Sequence, residues 1–102
     1  MNEKLLNIIN YYGINNQQRK LEEEVFELQE AITSLSIAER DTSLFDIEQF
    51  RLKVLEELAD VFVLLNQLAI YFKIDEENLY NMMNYKINRT INRMEEENGN
   101  SL

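Results

Sequence analysis

A chain of 102 residues with no proline and only two glycines, Gly13 and Gly99, carries almost nothing that would stop a helix. Proline removes an amide donor and collides with the preceding turn, and glycine in a helix interior costs about 1 kcal/mol relative to alanine. Neither residue occurs between Ile14 and Asn98. Wherever apolar residues recur at three- and four-residue intervals in that stretch, a helix can start and continue. No strand pattern, repeat or linker competes with this reading.

The spacing predicts a first helix over about residues 3–12, with Leu5, Leu6, Ile8, Ile9 and Tyr12 on its apolar side. Gly13 follows, where a helix end favours a left-handed residue, and Asn15 or Asn16 can cap the next helix. In that second helix Leu21, Val25, Leu28, Ile32 and Leu35 form one apolar stripe, running to about Glu39. A polar stretch, Arg40-Asp41-Thr42-Ser43, separates it from a third helix over about 46–72, opened by a capping-box pattern of Asp46 and Gln49. From Leu58 to Leu65 this helix reads LADVFVLL, with Asp60 its one polar residue. A helix apolar on all sides is covered by neighbours or by a second subunit. Asp75 caps a fourth helix over about 76–96, with Leu79, Met83, Ile87, Ile91 and Met94 inward, and residues 98–102 form a frayed tail. The expected fold is all-α: a single domain over residues 1–97, an antiparallel four-helix bundle completed by oligomerisation, as a homodimer or homotetramer.

Composition removes most catalytic chemistry. The chain has neither Cys nor His, so thiol nucleophiles, disulfides, the Ser-His-Asp triad and nearly every zinc site are excluded. Two isolated glycines cannot build a phosphate-cradling loop. A net charge of -9 opposes nucleic-acid binding and suits cation binding if the carboxylates cluster. The N-terminus shows no export signal and no apolar run approaches the roughly 18 residues of a membrane span. The expectation is a cytoplasmic protein with no membrane and no nucleic-acid partner.

The carboxylates do cluster by pattern. Glu24 lies roughly 60° and Glu27 roughly 120° from the middle of the second helix's stripe. On the third helix Glu57 lies about 55° from the middle of its stripe, and Asp60 follows inside the apolar run. If the stripes pack together, the two pairs face each other in a semi-buried patch. Like charges about 5 Å apart repel by roughly 3 kcal/mol at an effective dielectric near 20. Such a patch takes up protons or binds a cation, and with oxygen ligands alone that cation is hard, Mg²⁺ or Mn²⁺ before Zn²⁺. The blander possibilities are a solvated face, which suits Glu22, and an Asp60 satisfied by one basic residue such as Lys86.

On the fourth helix Lys86, Arg89 and Arg93 fall within about 60° of one another at one edge of the apolar side. Taken alone, that strip reads as a solvated or ion-paired face. Beside a cation cluster it reads as a site for a metal-bridged polyphosphate.

Glu23-Glu24-Val25-Phe26-Glu27 and Glu57-Leu58-Ala59-Asp60 give E-E-x-x-E followed by E-x-x-D. In this the sequence resembles the MazG-like, all-α nucleoside triphosphate pyrophosphohydrolases, a superfamily that includes all-α dUTPases and phosphoribosyl-ATP pyrophosphatase. The similarity covers roughly residues 17–93, with Lys20 before the first motif, Leu28 after it and VFVLLNQLA after Asp60. The resemblance implies a MazG-like fold in which Glu24, Glu27, Glu57 and Asp60 hold Mg²⁺, and Glu23 acts as base for the attacking water. It also implies that Lys20, Lys86, Arg89 and Arg93 contact the substrate, a nucleoside triphosphate cleaved to monophosphate and pyrophosphate in nucleotide-pool sanitation or control. Two departures stand out. The 29 residues between Glu27 and Glu57 are at the long end of the usual spacing, with the excess expected in the 36–48 connection, and no Trp is present to meet a base. The rival readings are a dUTPase-like enzyme and a non-catalytic helical oligomerising adaptor.

Overall fold

A computed structural model of the chain describes residues 2–41 and 46–100, and it is helical throughout. The elements are α1 (Asn2–Tyr12), α2 (Ile14–Arg40), α3 (Ile47–Tyr71) and α4 (Glu76–Asn100), with no strand among the described residues. Helices α1–α3 form one compact unit and α4 a second. Of the expected polar connection, Thr42 and Ser43 lie outside the described residues, as do the last two residues of the tail.

The ends of the helices follow from local chemistry, with one reversal. Asp46 caps α3 by accepting the Gln49 amide at 3.4 Å, and Asp75 opens α4 by accepting the Glu77 amide at 3.1 Å. Both fit the expected caps. At the α1–α2 junction neither Asn15 nor Asn16 caps. Gly13 itself is the N-cap and α2 starts at Ile14, so Asn16 is already inside the helix. Its side chain reaches back and donates to the Tyr12 carbonyl at 2.7 Å, closing α1 instead of opening α2. Gly13 has φ 90° and ψ 150°. Its φ is positive, as expected of a helix-ending glycine, but ψ is extended rather than left-handed helical. Only glycine adopts that region readily. Lys73, just past α3, has a φ of 57°, a left-handed value for a residue that carries a Cβ.

In the first unit α2 packs against α3, and α1 lies against both. The pairing of Gln17 with Gln67 and of Glu24 with Asp60 shows that α2 and α3 run antiparallel. The inner face of α2 is not quite the predicted one. Leu21, Val25, Leu28 and Leu35 are half-buried on it as expected, but Gln17, Glu24, Ala31 and Ala38 alternate with the leucines, and Ala31 takes the place of Ile32. That is a 4-3-4-3 seam rotated by about half a residue-step from the hydrophobic average. Small alanines at 31 and 38 let the helices approach, which the larger Ile32 would obstruct. Ile32 is left exposed.

On α3 the buried residues are Glu57, Val61, Leu64 and Gln67, with Val54 half-buried. The other side of the helix, Leu52, Leu55, Phe62, Val63 and Leu65, is exposed in the single chain. Helix α1 anchors itself through Leu5 and Ile9, the latter fully buried at 0% exposure. In the second unit the five apolar residues expected to face inward, Leu79, Met83, Ile87, Ile91 and Met94, are all exposed. Within that unit α4 has no second helix to bury its stripe. No helix among the described residues is long and apolar enough to cross a membrane.

Candidate metal centre

The seam brings carboxylates together from both long helices. One carboxylate oxygen each from Glu24 on α2 and from Glu57 and Asp60 on α3 lie within 4.8 Å of one another. Asp60 is exposed, Glu24 half-buried and Glu57 buried, at 3% exposure. Glu57 therefore lies on the seam itself, not beside it as the spacing suggests, and Asp60, expected within the apolar run, is at the solvent edge. Position decides this: Glu57 is flanked at three and four residues by Val54 and Val61, which define the inner face.

Two oxygens in this cluster are unsatisfied. Glu24 Oε2 and Glu57 Oε2 are buried with no hydrogen-bond partner. A buried acceptor without a donor costs about 1–3 kcal/mol, and more if it is charged. Both residues use their other oxygen on a lysine of their own helix. Lys20 Nζ is 3.6 Å from Glu24 Oε1, and Lys53 Nζ is 3.0 Å from Glu57 Oε1. Each pair spans one turn, i to i+4.

The protonation directions differ between the two acids. Burial is the main reason that the Glu24 carboxyl sits above its ordinary value, with repulsion from Glu27, Asp60 and Glu57 adding to it and Lys20 opposing it. The hydrogen bond from Lys53 is the main reason that Glu57 sits below its ordinary value, although burial works against it. Lys53 is raised in return, chiefly by its hydrogen bond to Glu57. Of these two acids Glu24 is thus the readier to take a proton, and Glu57 is held toward its charged form by an ammonium. A protonated Glu24 can donate toward Glu57.

The donor set suits a hard metal ion. It is carboxylate only, with no nitrogen or sulfur. Oxygens on opposite sides of Mg²⁺ are about 4.2 Å apart and of Ca²⁺ about 5 Å apart. The Glu24, Glu57 and Asp60 oxygens lie within 4.8 Å of one another, inside the larger of these two limits. The two orphaned oxygens are what a cation placed there would satisfy. Glu24, Glu57 and Asp60 can together hold a metal ion.

The remaining predicted residues fall into three places. Glu27 is exposed and borders a cavity of about 470 Å³ on one side of the cluster, together with Lys53 and Glu57. Glu23 is exposed on α2 beside Glu24. Lys20 and Glu24 line a second cavity of about 500 Å³, which also takes in Asp60 and residues of α1. On α4, described by itself, Lys86, Arg89 and Arg93 are exposed, the Arg89 guanidinium lies 5.9 Å from the centre of the Tyr85 ring, and Thr90 donates to the Lys86 carbonyl. Sequence reasoning overlooked Lys53, although its spacing to Glu57 is the standard one for a helical ion pair. It also overlooked Gln17 and Gln67. Each lies seven residues from a cluster carboxylate, Glu24 and Asp60 respectively, and the heptad repeat would have placed both on the seam.

No protein-family model, curated protein or solved structure matches the chain.

Proposed function

We propose that this chain is a Mg²⁺-dependent nucleoside triphosphate pyrophosphohydrolase of MazG-like type, releasing pyrophosphate from a nucleoside triphosphate, and that the metal-holding cluster is its catalytic centre. The observation that carries the reading is the pair of buried, unpartnered oxygens on Glu24 and Glu57 beside Asp60. A fold that only needed stability would fill those seam positions with apolar side chains, as it does at Leu28 and Val61. The order E-E-x-x-E then E-x-x-D supports the same reading.

Glu24, Glu57 and Asp60 would hold the ion, with Glu27, at the edge of the Glu57 cavity, completing the set. A divalent cation in that position supplies neutralisation of the triphosphate charge and polarisation of the phosphoryl oxygens. Glu23, exposed next to the cluster, is the carboxylate proposed to accept the proton of the attacking water. Lys20 and, on α4, Lys86, Arg89 and Arg93 are proposed to bind phosphate oxygens, the arginines through forked donors. The bundle and its completion by a second copy belong to the same reading; the exposed apolar side of α3 supports it.

The adaptor reading draws on Lys53, whose ion pair already satisfies half of Glu57 without any metal. The deciding experiment is pyrophosphate release from a panel of ribo- and deoxynucleoside triphosphates, dUTP included, with Mg²⁺ or Mn²⁺. Glu57→Gln and Asp60→Asn should abolish turnover while leaving the helical content unchanged. Absence of turnover on every nucleotide, with the metal still bound, favours the adaptor.

A further inference from the structure

Seven residues from the carboxylate cluster, along both α2 and α3, two glutamines meet. Gln17 Nε2 donates to Gln67 Oε1 at 2.8 Å, and the residues are 4% and 2% exposed. Seven residues are two helical turns, so the amide pair sits about 10.5 Å from the carboxylates. Both amides line the cavity of about 500 Å³ that also reaches Glu24 and Asp60. Among the described residues, no second hydrogen bond reaches Gln17 Oε1 or Gln67 Nε2. The bonded pair therefore keeps a spare acceptor on Gln17 and a spare donor on Gln67, two residues that line the cavity.

Buried glutamines are costly and need a reason. Bonding to each other satisfies half of each amide, whereas two leucines would satisfy everything by packing. Ile8, Tyr12, Val63 and Leu64 give the cavity apolar and aromatic wall, and Lys20, Glu24 and Asp60 its charged part. A flat ring with polar atoms on one edge fits such a space, and a cavity of this volume falls in the range of small-molecule sites.

We infer that the Gln17–Gln67 pair is the specificity-determining element of this cavity and reads the hydrogen-bonding edge of a nucleobase, accepting either order of donor and acceptor. Turning both amides over keeps one hydrogen bond between them, now from Gln67 to Gln17, and exchanges the spare groups. Gln17 then offers a donor and Gln67 an acceptor. Uracil and cytosine have the same ring outline but opposite patterns at positions 3 and 4: donor then acceptor in uracil, acceptor then donor in cytosine. A pair that can reverse at little cost accommodates both. This deepens the proposed function and rests on it for the identity of the ligand as a nucleotide.

The test uses deoxyuridine and deoxycytidine, uncharged nucleosides that need neither metal nor turnover. Each is titrated into the full chain while the side-chain amide NMR signals of Gln17 and Gln67 are followed. Both nucleosides should shift those signals and bind within about threefold of each other, less than the contribution of one hydrogen bond. Gln67→Glu can only accept, and should separate the two affinities by about tenfold. The double variant Gln17→Leu with Gln67→Leu replaces both partners by apolar groups, which leaves folding nearly unaffected, and should weaken both nucleosides by about tenfold or more. Unshifted amide signals, a parent that already favours one base by more than about tenfold, or a double variant that binds as well as the parent would each overturn the inference. Pyrophosphate release, measured separately, would stand or fall without reference to these results.

Discussion

Lys53 and Glu57 are joined across one turn of α3 at 3.0 Å, with the lysine side chain 59% exposed and the glutamate side chain 5% exposed. The ammonium approaches from solvent and neutralises a charge that the seam has buried. It occupies the side of Glu57 that faces the cavity shared with Glu27. Lys53 is thus the counter-charge that α3 itself supplies to Glu57.

Lys53→Met removes that counter-charge and retains most of the aliphatic stem. The metal-free variant should melt at a lower temperature than the parent, because Glu57 is left buried and unpaired. Added divalent cation should restore more of the loss in the variant than in the parent, with affinity strengthened several-fold by removal of a neighbouring positive charge. Thermal unfolding monitored by circular dichroism, with and without Mg²⁺, measures both effects. Equal metal-induced shifts in the two proteins would contradict the role given to Lys53.

The two acids give the metal-free protein a stability profile with opposite limbs. Glu24 sits above its ordinary value of 4.5, so the folded chain binds its proton more readily than the unfolded chain does. Stability on its account rises as pH falls through the folded value, and the gain is complete below 4.5. Glu57 sits below 4.5, so its contribution is present above 4.5 and is lost as pH falls through the lowered folded value. Urea unfolding across pH should show Glu24→Gln removing the decline on the neutral side while leaving the acid limb. A variant that still declines toward neutral pH as the parent does would exclude burial of Glu24 as the cause.

Hydrophobic spacing located the helices because the signal is redundant over twenty-odd residues. Leu21, Leu28 and Leu35 recur every seventh residue and could hardly be read otherwise. That Glu24 shares the seam's edge with Val25, and that Ala31 replaces Ile32, was not legible. An apolarity rule prefers the β-branched pair, whereas close packing prefers alanine and the chemistry of the site prefers glutamate. The caps at Asp46 and Asp75 were legible because a side chain there answers an amide two or three residues away. The Gln17–Gln67 bond, fifty residues apart in sequence, depends on how two helices are paired, which no local pattern encodes.

Gly13→Ala should destabilise the chain by about 1–3 kcal/mol, the cost of holding a side chain in a backbone region that essentially only glycine occupies. Space is not the issue, since a Cβ there would meet nothing within 4 Å. The equilibrium unfolding free energy measures this; an unchanged value would show that the junction relaxes to another conformation.

Ile9→Ala should cost about 2–5 kcal/mol, as expected for a fully buried aliphatic side chain. Because Ile9 is the deepest anchor of α1, amide exchange in α1 should accelerate more than in the α2–α3 pair. Uniform acceleration would mean that the three helices unfold together.

The polar rungs of the α2–α3 seam also choose among its possible alignments. A seam of leucines alone would tolerate a slide by one heptad, since Leu21, Leu28 and Leu35 would simply exchange holes. Such a slide would tear Gln17 from Gln67 and move Glu24 away from Glu57 and Asp60, leaving polar groups stranded in apolar surroundings. The two polar rungs, the glutamine pair and the carboxylates, act together as a key, so that the alignment outlasts the replacement of the glutamines by leucine.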